Sequence, residues 1–234
     1  MITLFAPAKI NPFLAVGPPD ARGWHPLRTI FQAISLYDEI EVIRGREDET
    51  IFDDPSIPPV NTVSRTLELL RESGATFDPV RIRIKKSIPT EAGLGGGSSD
   101  AGTLLAWMRD EGWITEKQAG SGARGVGEDV PFLLLGGRAK GEGYGERLTS
   151  LDDLPERWLV VAKPSVGVPT PEAFRRLDAS PRPFREFPNG DELHNDFELT
   201  MPKESRRLIG MLKESGADDA GLTGSGSAVF GRFG

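Results

Sequence analysis

Pro89-Thr-Glu-Ala-Gly-Leu-Gly-Gly-Gly-Ser-Ser-Asp-Ala-Gly102 is the stretch on which the reading of this chain turns. It follows the alternating run Val80-Arg-Ile-Arg-Ile84 and leads into Thr103-Leu-Leu-Ala-Trp-Met108, so the pattern is strand, glycine loop, helix. Gly93, Gly95, Gly96 and Gly97 remove the side chains that would keep a ligand away from the backbone. Ser98, Ser99 and Asp100 are expected where the helix starts. The free amide groups and positive dipole end of such a helix favour an anion, so the loop is expected to cradle phosphates. Two familiar phosphate motifs do not fit. No Gly-Lys-Ser/Thr follows, which excludes a P-loop, and the glycine spacing is not that of the dinucleotide fingerprint.

The bulk properties narrow the setting. A chain of 234 residues allows one large domain or two modest ones. A net charge of −7 argues against a broad nucleic-acid footprint, while a local glycine loop can still bind a small anion. There is no cysteine, which excludes disulfides and thiolate metal sites, and His25 and His194 are too few for a histidine-rich centre. No apolar run approaches membrane-spanning length and the N-terminus carries no secretion pattern, so a cytoplasmic enzyme is expected.

Along the chain, residues 2–5, 13–16 and 40–43 read as short strands, and residues 62–73 as a helix. Asn61 is its candidate N-cap, Gly74 lies just past its end, and Val63, Leu67 and Leu70 share its core face. The glycine-rich stretch 120–127 reads as loop. Pro131, after Asp129, suits a short helix opening. The polar stretch 149–156 marks a domain boundary near residue 150, giving domains 1–149 and 150–234. Residues 158–162 read as a buried strand, 181–191 as a surface loop, 204–215 as a helix ended by Gly216, and 222–230 as a second glycine-serine turn before a strand.

Several side chains admit two readings. Lys9, the only basic residue among the first 19, is either a strand lysine that snorkels to solvent or a cation held at a reacting centre. Asp129 is either a helix cap or a general base at a helix start. Trp24 and His25, in Gly23-Trp-His-Pro26, are either packing or a base-stacking platform with a hydrogen-bonding partner. Phe174 taken alone reads more readily as core.

Together these pieces resemble the GHMP small-molecule kinases. The resemblance rests on Pro7-Ala-Lys-Ile-Asn11, on residues 89–99, and on Leu222-Thr-Gly-Ser-Gly-Ser-Ala-Val-Phe230. Gly127-Glu-Asp-Val-Pro131, and Gly23-Trp-His25 with Thr29-Ile-Phe31, support it. The triple glycine with Ser-Ser-Asp and the Gly-aromatic-His segment are similar to the branch that phosphorylates a cytidine-diphosphate-linked methylerythritol (CDP-methylerythritol) on the non-mevalonate route to isoprenoids. The resemblance implies an α+β fold of two domains, an N-terminal one like domain 2 of ribosomal protein S5 and a ferredoxin-like C-terminal one, with the active site between them.

It further implies that Asp129 takes the proton from the substrate hydroxyl and that Lys9 steadies charge on the nucleophile and the transferring phosphate. Gly93, Leu94, Gly95, Gly96, Gly97, Ser98 and Ser99 would wrap the phosphates of ATP, with Asn61 and Lys86 toward the adenosine end. Asn11 and Thr170 would touch substrate. Trp24 and Phe174 would sandwich the cytosine, and His25 would read its edge. Gly224, Ser225, Gly226 and Ser227 would close beneath the substrate phosphates. Mg2+ is expected with ATP, its ligands unassigned, in a monomer or homodimer without nucleic-acid or membrane partners.

Within the resemblance, Trp24 stands where tyrosine is usual and Glu128 where a small residue is. Gly102 stands where alanine is common, at a cost of up to about 1 kcal/mol in a helix. The family pattern continues through a further helix and strand, so the C-terminal sheet is expected to lack an edge element. The alternatives are another small-alcohol kinase of the homoserine or mevalonate type, and a nucleotide-binding relative without turnover.

Overall fold

The computed structural model describes all 234 residues, which form two compact units. The first comprises Met1–Lys9, Ala33–Ile88 and Gly95–Gly136, and the second Ile10–Gln32, Pro89–Leu94 and Gly137–Gly234. The units alternate along the sequence because two long strands, β1 (Ile2–Val16) and β2 (Leu27–Arg44), each give residues to both. Residues 2–5 and 13–16 are therefore the two ends of one strand. The intervening segment was hidden from pattern reading because Lys9 and Asn11, both buried, interrupt its apolar run. The expected boundary at residue 150 falls inside the second unit.

In the first unit the strand order is β3 (Glu49–Phe52), β4 (Val80–Lys85), β2, β1. β3 runs parallel to β4, and β4 antiparallel to β2 with Ile84 opposite Ile40. Alternation puts Val80, Ile82 and Ile84 inward and Arg81, Arg83 and Lys85 outward. Helices α1 (Thr62–Glu72), α2 (Gly96–Asp110), α3 (Glu116–Val126) and α4 (Val130–Leu135) complete the unit. Its core joins Ile40, Val42, Ile82 and Ile84 to Val63, Leu67, Leu70, Leu104, Leu105, Met108, Ala119, Ala123 and Val130. Asn61 caps α1 as expected, its side chain accepting from the amides of Val63 and Ser64, with Ser64 reaching back to the Asn61 amide.

Two expectations for this unit are corrected. The helix after the glycine loop starts at Gly96, so Ser98 and Ser99 lie inside its first turn. Gly95, at φ +73°, is the N-cap, a conformation that glycine alone adopts without strain. Most of the stretch 120–127 is helix α3, opened by a Thr115/Gln118 capping box. Its glycines meet neighbouring helices: a Cβ on Gly122 would lie 3.3 Å from the Leu105 side chain, and one on Gly125 3.0 Å from that of Leu69. Close helix packing overrode the low helical propensity of glycine.

In the second unit β2 pairs with β5 (Arg138–Glu142), β5 with β6 (Arg147–Ser150), and the end of β1 runs parallel to β8 (His194–Asn195). A separate antiparallel sheet has the order β7 (Trp158–Ala162), β10 (Val229–Phe233), β9 (Asp219–Leu222). Helices α5 (Thr170–Asp178) and α6 (Lys203–Glu214) enclose a core of Val168, Ala173, Leu177, Phe197, Ile209, Leu212, Leu222 and Val229. β7 is a strand as expected but not a buried one. It lies at a sheet edge, where Trp158 is 80% and Val160 45% exposed. No helix is long and apolar enough to cross a membrane.

Candidate active site

In the first unit, Lys9 and Asp129 form an ion pair, Nζ to Oδ2 at 3.4 Å. Lys9 is buried in β1 while the Asp129 carboxylate is about a third exposed, 35%. The lysine therefore does not snorkel to solvent. Asp129 occupies the N-cap position of α4 yet makes no side-chain capping hydrogen bond. Its carboxylate faces a cation instead of serving its own helix, which removes the capping role as an account of this residue. Neighbouring Glu128 is exposed.

The glycine loop is fitted to the same lysine. A Cβ on Gly95 would come within 3.0 Å of Lys9 Cγ, so the lysine stem and the bare loop backbone pack on each other. No side chain caps α2. The first-turn amides of a helix have no intrahelical acceptor, and here Gly96, Gly97 and Ser98 supply them at the positive end of a fifteen-residue helix. That end has the donors that a phosphate group needs. Ser99 is buried, and its hydroxyl donates to the Pro7 carbonyl at 2.6 Å, tying the first turn of α2 to β1. The Thr62 hydroxyl donates to the Gly97 carbonyl at 2.7 Å, tying the start of α1 to the loop. Asn61, besides capping α1, donates its amide to the Pro58 and Pro59 carbonyls.

Lys86 is locked between two buried carboxylates, Asp38 and Asp100. Asp38 also accepts from the amides of Ser87 and Ile88 at 2.6 and 2.8 Å. Burial pushes the Asp100 carboxyl up to about 7, against the pull of the Lys86 ammonium. Lys86 Nζ lies 3.3 Å from where a Cβ on Gly96 would sit, so this buried triad backs the glycine loop. Asp38 carries no motif signal. Only an aspartate inside the otherwise apolar alternation of β2 hinted at it.

In the second unit a hydrogen-bonded network organises the turn before β10. The Asn11 amide donates to the Thr223 hydroxyl at 3.2 Å, and Thr223 donates in turn to the Gly93 carbonyl. The Asn11 side chain accepts from the Gly224 amide at 3.1 Å and donates to the Thr29 hydroxyl at 2.8 Å. Asn195, which no motif marked, donates to the carbonyls of Leu222 and Gly224. Gly93 and Gly224, both at positive φ, meet backbone to backbone, and a Cβ on Gly93 would fall 2.3 Å from the Thr223 carbonyl oxygen. Gly226, at φ +89°, completes the turn, and the hydroxyls of Ser225 and Thr170 are hydrogen-bonded at 3.1 Å. Ala92, just before Gly93, accepts from the Ala228 amide. Leu94 is buried.

The aromatic group also lies in this unit. His25 stacks on Phe174 with centroids 5.1 Å apart and an interplanar angle of 29°. Its Nδ1 is 2.9 Å from the Gly17 carbonyl, which places a proton on that nitrogen, and its Nε2 is 3.3 Å from Asp178. Trp24 is 51% exposed and meets Tyr144 edge-on rather than Phe174.

An uncapped helix start thus lies beside a lysine–aspartate pair on an α+β scaffold, an arrangement suited to a small-molecule kinase. The family model for the GHMP kinases N terminal domain matches residues 61–137. The chain is 37% identical to the 4-diphosphocytidyl-2-C-methyl-D-erythritol kinase of Moorella thermoacetica, over 99% of this chain and 90% of that one. It is 34% identical to the enzyme of the same name from Nocardioides sp., over 94% and 84%. A crystal structure of 4-(cytidine 5'-diphospho)-2C-methyl-D-erythritol kinase superposes with a TM-score of 0.84 at 33% identity, covering 99% of this chain and 90% of that one. The chain belongs to the 4-diphosphocytidyl-2-C-methyl-D-erythritol kinase family of the GHMP kinases.

Proposed function

We propose that this protein transfers the γ-phosphate of ATP to the 2-hydroxyl of 4-diphosphocytidyl-2-C-methyl-D-erythritol, a step of the non-mevalonate route to isoprenoid precursors. The observation that carries the chemistry is the Lys9–Asp129 pair, with Asp129 at a helix start that it does not cap. Asp129 accepts the hydroxyl proton as the substrate oxygen bonds to the γ-phosphorus. The bond from that phosphorus to the β–γ bridging oxygen breaks, and ADP leaves. The buried Lys9 ammonium offsets negative charge gathering on the attacking oxygen and the phosphoryl group. Positioning and charge stabilisation of this kind supply most of the catalysis in phosphoryl transfer.

The first-turn amides of α2 hold the ATP phosphates, with Ser98 and the bare backbone of Gly95, Gly96 and Gly97 around them. Lys86, its charge offset by Asp38 and Asp100, braces the helix start behind that loop, and Lys86 and Asn61 lie toward the adenosine end. No group of three or more His, Cys, Asp or Glu is gathered as a metal cage. Mg2+ is commonly held by one or two carboxylates together with substrate phosphates, so here it would come with ATP and would screen the triphosphate charge. In the second unit, Trp24 and Phe174 flank the cytosine, His25 reads its edge, Asn11 and Thr170 orient the substrate, and residues 224–227 close on its phosphates. The same reading assigns residues 1–149 to an S5-like ATP-binding domain and 150–234 to a ferredoxin-like domain, in a cytoplasmic monomer or homodimer.

The test is ADP release from Mg-ATP with diphosphocytidyl-methylerythritol, mevalonate and homoserine side by side. Turnover with the cytidyl substrate alone is expected. Turnover with mevalonate or homoserine in its place would keep the kinase chemistry and discard the cytosine site.

A further inference from the structure

Trp24 is held in place by Asp20 and Tyr144. The turn formed by residues 20–24 is closed at both ends by Asp20. The Asp20 amide donates to the Trp24 carbonyl at 2.7 Å, and the Gly23 amide donates to the Asp20 carbonyl at 2.9 Å with Gly23 at φ +80°. The Asp20 carboxylate accepts from the amides of Arg22 and Trp24 at 2.8 and 3.0 Å, and from the Arg22 guanidinium at 3.1 and 3.2 Å. Its remaining bond comes from far along the chain: the Tyr144 hydroxyl, on the turn between β5 and β6, donates to Oδ2 at 2.7 Å. The Tyr144 hydroxyl and then the Trp24 amide hold this carboxyl well below the usual carboxylate range.

Tyr144 acts on Trp24 a second time through its ring. The two rings meet at a centroid distance of 5.8 Å and an angle of 67°, and the Arg22 guanidinium sits 5.3 Å from the Tyr144 centroid. An edge contact of this kind leaves Trp24 half exposed. A solvent-facing indole fixed by its backbone and by an edge contact is a preorganised stacking surface, because the rotamer entropy of the ring is lost before a ligand arrives.

We propose that Tyr144 is a positioning residue for nucleobase binding: through Asp20 and through its ring it sets the Trp24 indole for stacking on the cytosine of the substrate. This rests on the assignment of Trp24 to the cytosine site. Tyr144 touches neither the phosphates nor the Lys9–Asp129 pair in this role, so it governs capture of the cytidyl group and not the rate of transfer.

CDP binding by calorimetry and steady-state kinetics, on wild type, Tyr144→Phe, Tyr144→Ala and Trp24→Ala, test this. Edge-to-face pairs have coupling strengths that correspond to roughly two- to tenfold in Kd. Tyr144→Ala is expected to weaken CDP by that amount and to raise KM for the cytidyl substrate in parallel, with kcat and KM for ATP at wild-type values. Tyr144→Phe, which keeps the ring and loses the bond to Asp20, is expected to fall between. Unchanged CDP affinity in Tyr144→Ala, with Trp24→Ala impaired, would overturn the role of Tyr144 alone. A parallel fall of kcat and thermal stability with no selective rise in KM would mark Tyr144 as merely structural. Wild type that does not bind CDP, or Trp24→Ala that binds it normally, would overturn the cytosine site as well.

Discussion

Gly102 in α2 gives the sharpest test of the packing that positions Asp129. Replacing a glycine inside a helix by alanine ordinarily stabilises a protein by about 1 kcal/mol. At Gly102 a Cβ would come within 2.7 Å of the Leu133 carbonyl carbon and 2.9 Å of the Leu134 amide nitrogen, both backbone atoms of α4. Ordinary contact begins near 3.4 Å, so α4 must retreat by about 0.7 Å. Overpacking of this kind costs about 1–3 kcal/mol, which cancels or exceeds the propensity gain. Because Asp129 is the residue on which α4 starts, the same retreat moves the proposed base. Misplacement of a reacting group by about 1 Å costs on the order of a hundredfold, so about 0.7 Å is expected to lower kcat by about tenfold or more. Gly120, in α3, is the control. A Cβ there meets nothing nearer than the Arg124 guanidinium at 3.6 Å, and Gly120→Ala is expected to raise the melting temperature by about 2–4 °C with kcat unchanged. Urea and thermal unfolding, together with ADP release, read both variants. Gly102→Ala that gains stability as Gly120→Ala does, at full turnover, would refute the reasoning.

Three further outcomes are expected. Lys86→Met strands the Asp38 and Asp100 carboxylates in the interior and should cost about 3–5 kcal/mol by urea unfolding at pH 8, where a loss under 1 kcal/mol would show the triad to be unimportant. Asp100, raised from 3.8 to about 7 by burial, favours the fold while protonated, and that contribution fades as the pH rises from about 4 through 7, by about 1.4 kcal/mol per pKa unit at most. Asp100→Asn should therefore gain on wild type between pH 4 and 8, and a stability difference independent of pH would contradict the shift. Thr62→Val removes the hydroxyl bonded to the Gly97 carbonyl and should raise KM for ATP by about two- to tenfold, with KM for the cytidyl substrate as the internal control.

The parts of this fold that could be read from the sequence are those with local causes. α1 is announced by the Asn61 cap, its apolar face and Gly74, and the loop-to-helix junction by Gly93 and Gly95, which adopt positive φ before an uncapped helix. The misread parts depend on partners distant in the chain. α3 looks like a loop until Leu69 and Leu105 explain why its glycines are small, and β7 looks buried until its place at a sheet edge is known. The same division holds in the site. Lys9 and Asp129 stood out by isolation and by position, but each had a bland alternative that only their 3.4 Å pairing and the missing cap remove. Asp38, Asn195 and Tyr144 had no motif to mark them, since what they do is decided by Lys86, Gly224 and Asp20, residues brought to them by tertiary structure.

The central claim is that Asp129 takes the substrate proton during transfer. Single-turnover phosphate transfer from ATP to diphosphocytidyl-methylerythritol by Asp129→Asn, with CDP and ATP affinities followed by calorimetry on the same protein, tests it directly. The asparagine keeps the size of the side chain and removes its basicity. The expected result is a fall in the transfer rate of about 10²–10⁴, the usual contribution of a general base, with both affinities near wild type. Transfer at the wild-type rate in that variant would contradict the account.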